Sequence, residues 1–173
     1  MTMLDDIVPF IRDKGEVGAG TRIWQPSNIY RCRIGKDCTI GAFVTIQEGA
    51  VIGDRCKIMD GAFICAGARI GDGVFIGMGA KLCNDRRPRA TRLDGKPKGR
   101  DDWKCEPPII EDGASIGANA VILPGILIGA GAVVAAGAVV RDNVNHNALI
   151  TGNPTWYRRD LPESWGHEQE GDP

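Results

Sequence analysis

The residues best placed to do chemistry are the pair Asn84-Asp85 and the cationic stretch it opens. From Cys83 to Pro108 the chain carries eight basic and five acidic residues, a net +3 in a chain of 173 residues whose formal charge is −1. Arginine makes paired hydrogen bonds to phosphate and carboxylate oxygens, so such a stretch suits an anionic ligand. Arg86 and Arg89, with Arg31 earlier in the chain, are the candidate substrate cations. The near-neutral total charge gives no reason to expect nucleic acid or an anionic membrane as partner. The two histidines, His146 and His167, lie well past this stretch, so one chain lacks the three ligands of a histidine-bound zinc. Six cysteines form no Cys-x-x-Cys pair and have no histidine close by; no metal is expected, and the thiols should be reduced.

The sequence on either side of this stretch is periodic. An aliphatic residue recurs every six positions from Ile34 through Ile40 and Ile46 to Leu82, and again from Ile110 to Val140. Val17, Ile23 and Ile29 form an earlier phase, joined to the next by a five-residue step to Ile34. Two positions before each aliphatic residue stands a small or β-branched one, such as Cys32, Cys38, Cys56, Ala114 or Ala138. Cys65, Cys83 and Cys105 fall outside that inward slot. Glycine often follows the aliphatic residue directly, as in Ile40-Gly41 and Ile116-Gly117, and is expected to ease the dihedral limits of a corner. A period of six fits neither the 3.6 of a helix nor the alternation of a long strand. It fits a short strand followed by a corner, three such units making a triangular coil of about 18 residues. The expected fold is all-β: a parallel β-helix of about six coils, with residues 83 to 108 extruded as one loop. A long loop in a compact solenoid is usually functional or disordered.

One domain is expected over residues 1 to 173, with a C-terminal tail from about 155. The first residues carry Asp5, Asp6 and Pro9 around a short apolar run, which reads as neither signal peptide nor membrane span, so a cytoplasmic protein is expected. With an 18-residue coil, Gly152, Asn153 and Pro154 should stack over Val134 to Ala136, and these over Ile116 to Ala118. Small side chains on one edge would leave an open track there.

The hexapeptides, the mid-chain loop and the closing Gly152-Asn153-Pro154 together resemble the hexapeptide acyltransferases over roughly residues 15 to 160. Three pieces are similar to bacterial N-acetyltransferases acting on UDP- or dTDP-linked 3-amino sugars: Gly20-Thr21-Arg22-Ile23-Trp24, Asn84-Asp85 with Pro88-Arg89-Ala90-Thr91, and Asp102-Trp103-Lys104-Cys105-Glu106-Pro107. Gln25 stands where relatives often carry histidine. The resemblance implies a left-handed coil, acetyl-CoA as co-substrate, a nucleotide-linked amino sugar as acceptor, and a homotrimer with sites between subunits. The stacked small residues Ala118, Ala136 and Pro154 are then the expected track for the pantetheine arm, with Asn153, Arg158 and Arg159 placed to meet its carbonyls or the nucleotide phosphates. O-acetylating relatives often use an Asn-His pair where this chain has Asn84-Asp85. A neutral amine needs less activation than a hydroxyl. Asn84 is therefore expected to orient the amine or thioester, and Asp85 either to accept a proton or to form a turn or ion pair. O-acetylation of a sugar or serine hydroxyl and a non-catalytic scaffold are the alternatives.

Overall fold

In a computed structural model the chain is described over residues 16–153 and 156–160. It winds as a solenoid of parallel two-residue strands arranged on three faces. The first face runs from Glu16–Val17 through Arg33–Ile34, Val51–Ile52, Arg69–Ile70 and Ile109–Ile110 to Leu127–Ile128. The second runs from Arg22–Ile23 through Thr39–Ile40, Lys57–Ile58, Phe75–Ile76 and Ser115–Ile116 to Val133–Val134 and Ala148–Thr151. Trp156–Asp160 closes that face antiparallel. The third runs from Asn28–Ile29 through Thr45–Ile46, Phe63–Ile64, Lys81–Leu82 and Val121–Ile122 to Val139–Val140. The expected β-helix and its hexapeptide repeat are therefore observed.

Each strand contributes one inward and one outward residue, so the aliphatic column is buried: Ile40, Ile46, Ile58, Ile76 and Ile116 are 0% exposed. Removing each such side chain from water stabilises the fold by about 1.5–3 kcal/mol. The small residues two positions earlier, Cys38, Cys56, Ala80 and Ala120 among them, fill the narrow corners of the same core. Among the described residues no buried side-chain nitrogen or oxygen lacks a hydrogen-bond partner. No described helix is long and apolar enough to cross a membrane.

The corner glycines act differently from the sequence-based expectation. Those directly after the aliphatic residue do not have positive φ; they are forced by close stacking. A Cβ on Gly77 would lie 2.5 Å from the Ala118 nitrogen of the next coil. The positive-φ position comes two residues later, where Gly61 (φ 69°), Gly79 (φ 67°) and Gly137 (φ 70°) alternate with Phe43 (φ 59°) and Asn119 (φ 55°).

The five-residue step before Ile34 is a corner shortened to Tyr30-Arg31-Cys32, turned by Arg31 at φ 48°. A second shortening corrects the expected stacking at the other end. Val144 bridges Ile128 and Ile150 pairs with Val134, so this coil is 16 residues long. Gly152 then falls over Ala136, and Asn153 over Gly137, rather than over Val134 and Ala135. Asn143 makes the short corner possible, its Oδ1 accepting the Leu127 N–H at 2.9 Å.

Candidate functional site

The extruded loop leaves the corner between the third and first faces, after Leu82, and returns to the coil at Ile109–Ile110. The coil continues one residue beyond Leu82, since the Cys83 N–H still donates to the Ile122 carbonyl at 3.0 Å. The neck closes where Glu106 N–H donates to the Asn84 carbonyl at 2.8 Å. Inside the loop, Arg92 N–H to Lys96 O and Lys98 N–H to Ala90 O form a small hairpin, followed by a 3-10 turn over Arg100–Asp102. The turn is capped by Asp102 Oδ2, which accepts the Gly99 N–H at 2.7 Å.

The loop folds back along its own corner of the solenoid. Arg100 pairs with Glu48, whose other oxygen meets Arg31 at 3.4 Å. Cys105 Sγ lies 3.7 Å from the Ala66 carbonyl, and Pro107 covers Gly67. Cys65, outside the regular inward slot, is nevertheless 0% exposed. Burial pushes its thiol up to about 12, with Cys83 and Cys105 adding to the shift. All six cysteines are free thiols.

Asn84 is half-buried at the neck, and both hydrogens of its amide are engaged: Nδ2 donates to the Ala66 carbonyl at 3.1 Å and to Cys105 Sγ at 3.5 Å. Its Oδ1 accepts no hydrogen bond among the described residues. Asp85 forms a turn, its Oδ1 accepting the Arg87 N–H at 2.8 Å, and its Oδ2 has no partner among the described residues. Asp85 lines a concavity of about 310 Å³ in the loop together with Arg87, Lys98 and Trp103.

The cations divide into two groups. Arg86 donates from Nε to Glu106 Oε2 at 3.0 Å and from Nη2 to the Pro124 carbonyl at 2.9 Å, so it anchors the loop to the coil. Lys104 takes the other Glu106 oxygen at 3.3 Å. The hydrogen bonds from Arg86 and Lys104 hold the Glu106 carboxyl below the usual range. Arg31 is likewise engaged, on Glu48. Arg87, Arg89 and Lys98 have no ion pair among the described residues; Arg89 stands outside the concavity, while Arg87 and Lys98 line it. Sequence reasoning passed over Arg87, Lys98 and Trp103, because their shared position depends on the hairpin between Thr91 and Pro97. The density of the basic run hinted at Arg87 and Lys98, and the piece Asp102-Trp103-Lys104-Cys105-Glu106-Pro107 contained Trp103 without giving it a role.

The expected track of small residues occupies a different edge. Ala118 and Ala136 sit on the corner between the second and third faces, with Gly137 N–H donating to the Ala118 carbonyl at 2.8 Å. Ala136 is exposed and Ala118 half-buried. Asn153 is exposed beyond them. Pro154 lies outside the described residues, and Arg158 and Arg159 are described only as backbone of the strand Trp156–Asp160. Within one chain the third face therefore separates Asn84 and Asp85 from Ala118 and Ala136.

Residues 31–66, 49–84 and 107–142, together a little over half of the chain, match the family described as Bacterial transferase hexapeptide (six repeats). The hexapeptide-repeat acetyltransferase VCA0836 of Vibrio cholerae O1 biovar eltor, solved with acetyl-CoA, is 31% identical with a TM-score of 0.52, covering 86% of this chain and 72% of that one. WeeI from Acinetobacter baumannii AYE is 25% identical with a TM-score of 0.60, over 75% of this chain and 53% of its own. A curated 2,3,4,5-tetrahydropyridine-2,6-dicarboxylate N-acetyltransferase of Staphylococcus aureus (strain JH9) is 44% identical over 50 residues, 29% of this chain and 21% of that enzyme. The chain thus spans about half the length of WeeI and about a fifth of the curated enzyme.

Proposed function

The chain belongs to the bacterial transferase hexapeptide family, and from that membership we propose that it is an acetyl-CoA-dependent N-acetyltransferase acting on the amino group of a nucleotide-linked amino sugar. Acetyl-CoA as donor is supported by the Vibrio cholerae relative, which is complexed with it. Transfer to nitrogen is supported by the curated relative's activity and by the resemblance of the Asn84-Asp85 segment. The observation that supports an anionic acceptor is the loop concavity in which Arg87 and Lys98 have no carboxylate partner among the described residues.

In the proposed reaction the neutral amine attacks the thioester carbonyl carbon, forming the C–N bond. The tetrahedral intermediate collapses with cleavage of C–S, and the thiolate of CoA departs. Asn84 contributes its Oδ1, which can accept an amine N–H and aim the nitrogen lone pair at the carbonyl; its own donors are engaged in holding the neck. Asp85 Oδ2 takes the proton that the nitrogen sheds after attack. Positioning carries much of the rate in such a step, because a neutral amine is already a nucleophile.

The two halves of this site lie on opposite edges of the third face, which favours a homotrimer in which the loop of one subunit meets the Ala118–Ala136 edge of the next. Calorimetric titration with acetyl-CoA separates this reading from a non-catalytic scaffold: saturable binding supports the enzyme, and absence of binding at millimolar ligand contradicts it.

A further inference from the structure

We propose that the concavity of the extruded loop is a nucleoside-diphosphate site, with Arg87 and Lys98 taking the diphosphate and Trp103 stacking on the base. This assignment deepens the transferase reading and rests on it for the identity of the whole ligand. Most of the charges at the concavity are already neutralised. Around the concavity Glu106 is held by Arg86 and Lys104, and Asp102 by Arg92 at 3.6 Å. What remains without an ion pair among the described residues is Arg87, Lys98 and Asp85. Two cations and one carboxylate are the complement of a diphosphate ester, with about two negative charges, joined to a sugar bearing one ammonium.

Among the described residues Trp103 is the only aromatic one lining this concavity, and it is half-buried there. Every base offers a π face, and stacking on an indole is recognition that does not require reading the base edge. The volume, about 310 Å³, is at the lower limit for a small-molecule site, so one chain receives part of such a ligand. The frame is held before ligand arrives: the neck by Asn84 and Glu106, the hairpin by Ala90 and Lys98, the far end by Glu48 and Arg100. Preorganised cations lose less conformational freedom on binding. Arg86 and Arg31, the cations that the sequence put forward first, are spent on this frame.

The test is calorimetry on the full chain without acetyl-CoA, using UDP, dTDP, GDP and inorganic diphosphate. At least one nucleoside diphosphate should bind more tightly than inorganic diphosphate. Arg87→Gln and Lys98→Gln should each weaken both kinds of ligand, by about tenfold. Trp103→Ala should weaken the nucleoside diphosphates by about tenfold while leaving inorganic diphosphate within about twofold, and Trp103→Phe should restore most of the loss. Equal losses for nucleotide and inorganic diphosphate in Trp103→Ala would overturn the stacking role. Unchanged nucleotide affinity in both cation variants would overturn the site. Nucleotide binding that obeys this pattern without acetylation of any amino sugar would instead contradict the transferase reading and leave the site standing.

Discussion

Glu48, in the corner after the second coil, is ion-paired with Arg100 at the far end of the extruded loop, 52 residues later. The same carboxylate receives Arg31 at 3.4 Å, so one side chain ties the loop to two turns of the solenoid. Exposed ion pairs contribute little to global stability, about 0–1 kcal/mol. Their effect here is local, on where the loop stands. Glu48→Gln should leave the melting transition nearly unchanged while raising amide hydrogen exchange across Gly99 to Asp102. Exchange at those amides equal to the parent protein would show that the loop is held by other contacts.

The neck residues separate two chemical roles. Asn84→Ala removes both the Oδ1 acceptor and the hydrogen bonds to Ala66 and Cys105, and should lower kcat by at least about tenfold, or about 1.4 kcal/mol. Asp85→Asn keeps an oxygen able to accept the Arg87 N–H, so the turn survives while the base is lost; about a hundredfold fall in kcat is expected. The rates must be compared at a pH where the substrate amine is largely neutral. A loss below about threefold in Asp85→Asn would assign that residue to the turn alone.

The small-residue edge makes a separate prediction. Ala136 is exposed on the corner above Ala118, and Ala136→Trp places a bulky ring on the proposed pantetheine track without entering the core. Acetyl-CoA affinity should fall by about tenfold or more, with the fold and the sedimentation behaviour of the parent protein unchanged. Unchanged affinity would move the donor to another edge.

Alkaline stability follows from the buried thiols. Burial pushes Cys32 and Cys56 up to about 11 and Cys65 up to about 12, from an ordinary value of 9.0. Above pH 9 the unfolded chain releases these protons and the folded chain keeps them, so stability is full below about pH 9 and declines as pH rises toward 11–12. Chemical denaturation at pH 8 and pH 10 should show this decline, and Cys56→Ala should reduce its slope. An identical slope in that variant would assign the decline to other groups.

The architecture was legible because the same two positions in nearly every six, one aliphatic and one small, carry the core. The corners were less so. Glycine after each aliphatic residue was expected for its dihedral freedom, yet Gly77 is required because the Ala118 backbone stacks 2.5 Å from where a Cβ would sit. The two-residue deletion before Val144 was missed because Asn143 replaces a backbone acceptor with its side chain, and that substitution leaves no periodic trace. At the site, the sequence showed a cationic loop but not which cations were spent. Arg86 and Arg87 are neighbours in the chain, yet one is locked between Glu106 and Pro124 and the other faces the concavity. That division depends on contacts 20 and 38 residues away from Arg86, which residue type alone does not reveal.

The most direct test of the account is release of free thiol from acetyl-CoA in the presence of a panel of UDP- and dTDP-linked amino sugars, with the matching hydroxy sugars and serine as controls. Thiol release is expected with at least one nucleotide-linked amino sugar, equimolar with an N-acetylated product identified by mass spectrometry, and none with the hydroxy sugars or serine. Thiol release with a hydroxy sugar or serine and with none of the amines would contradict it.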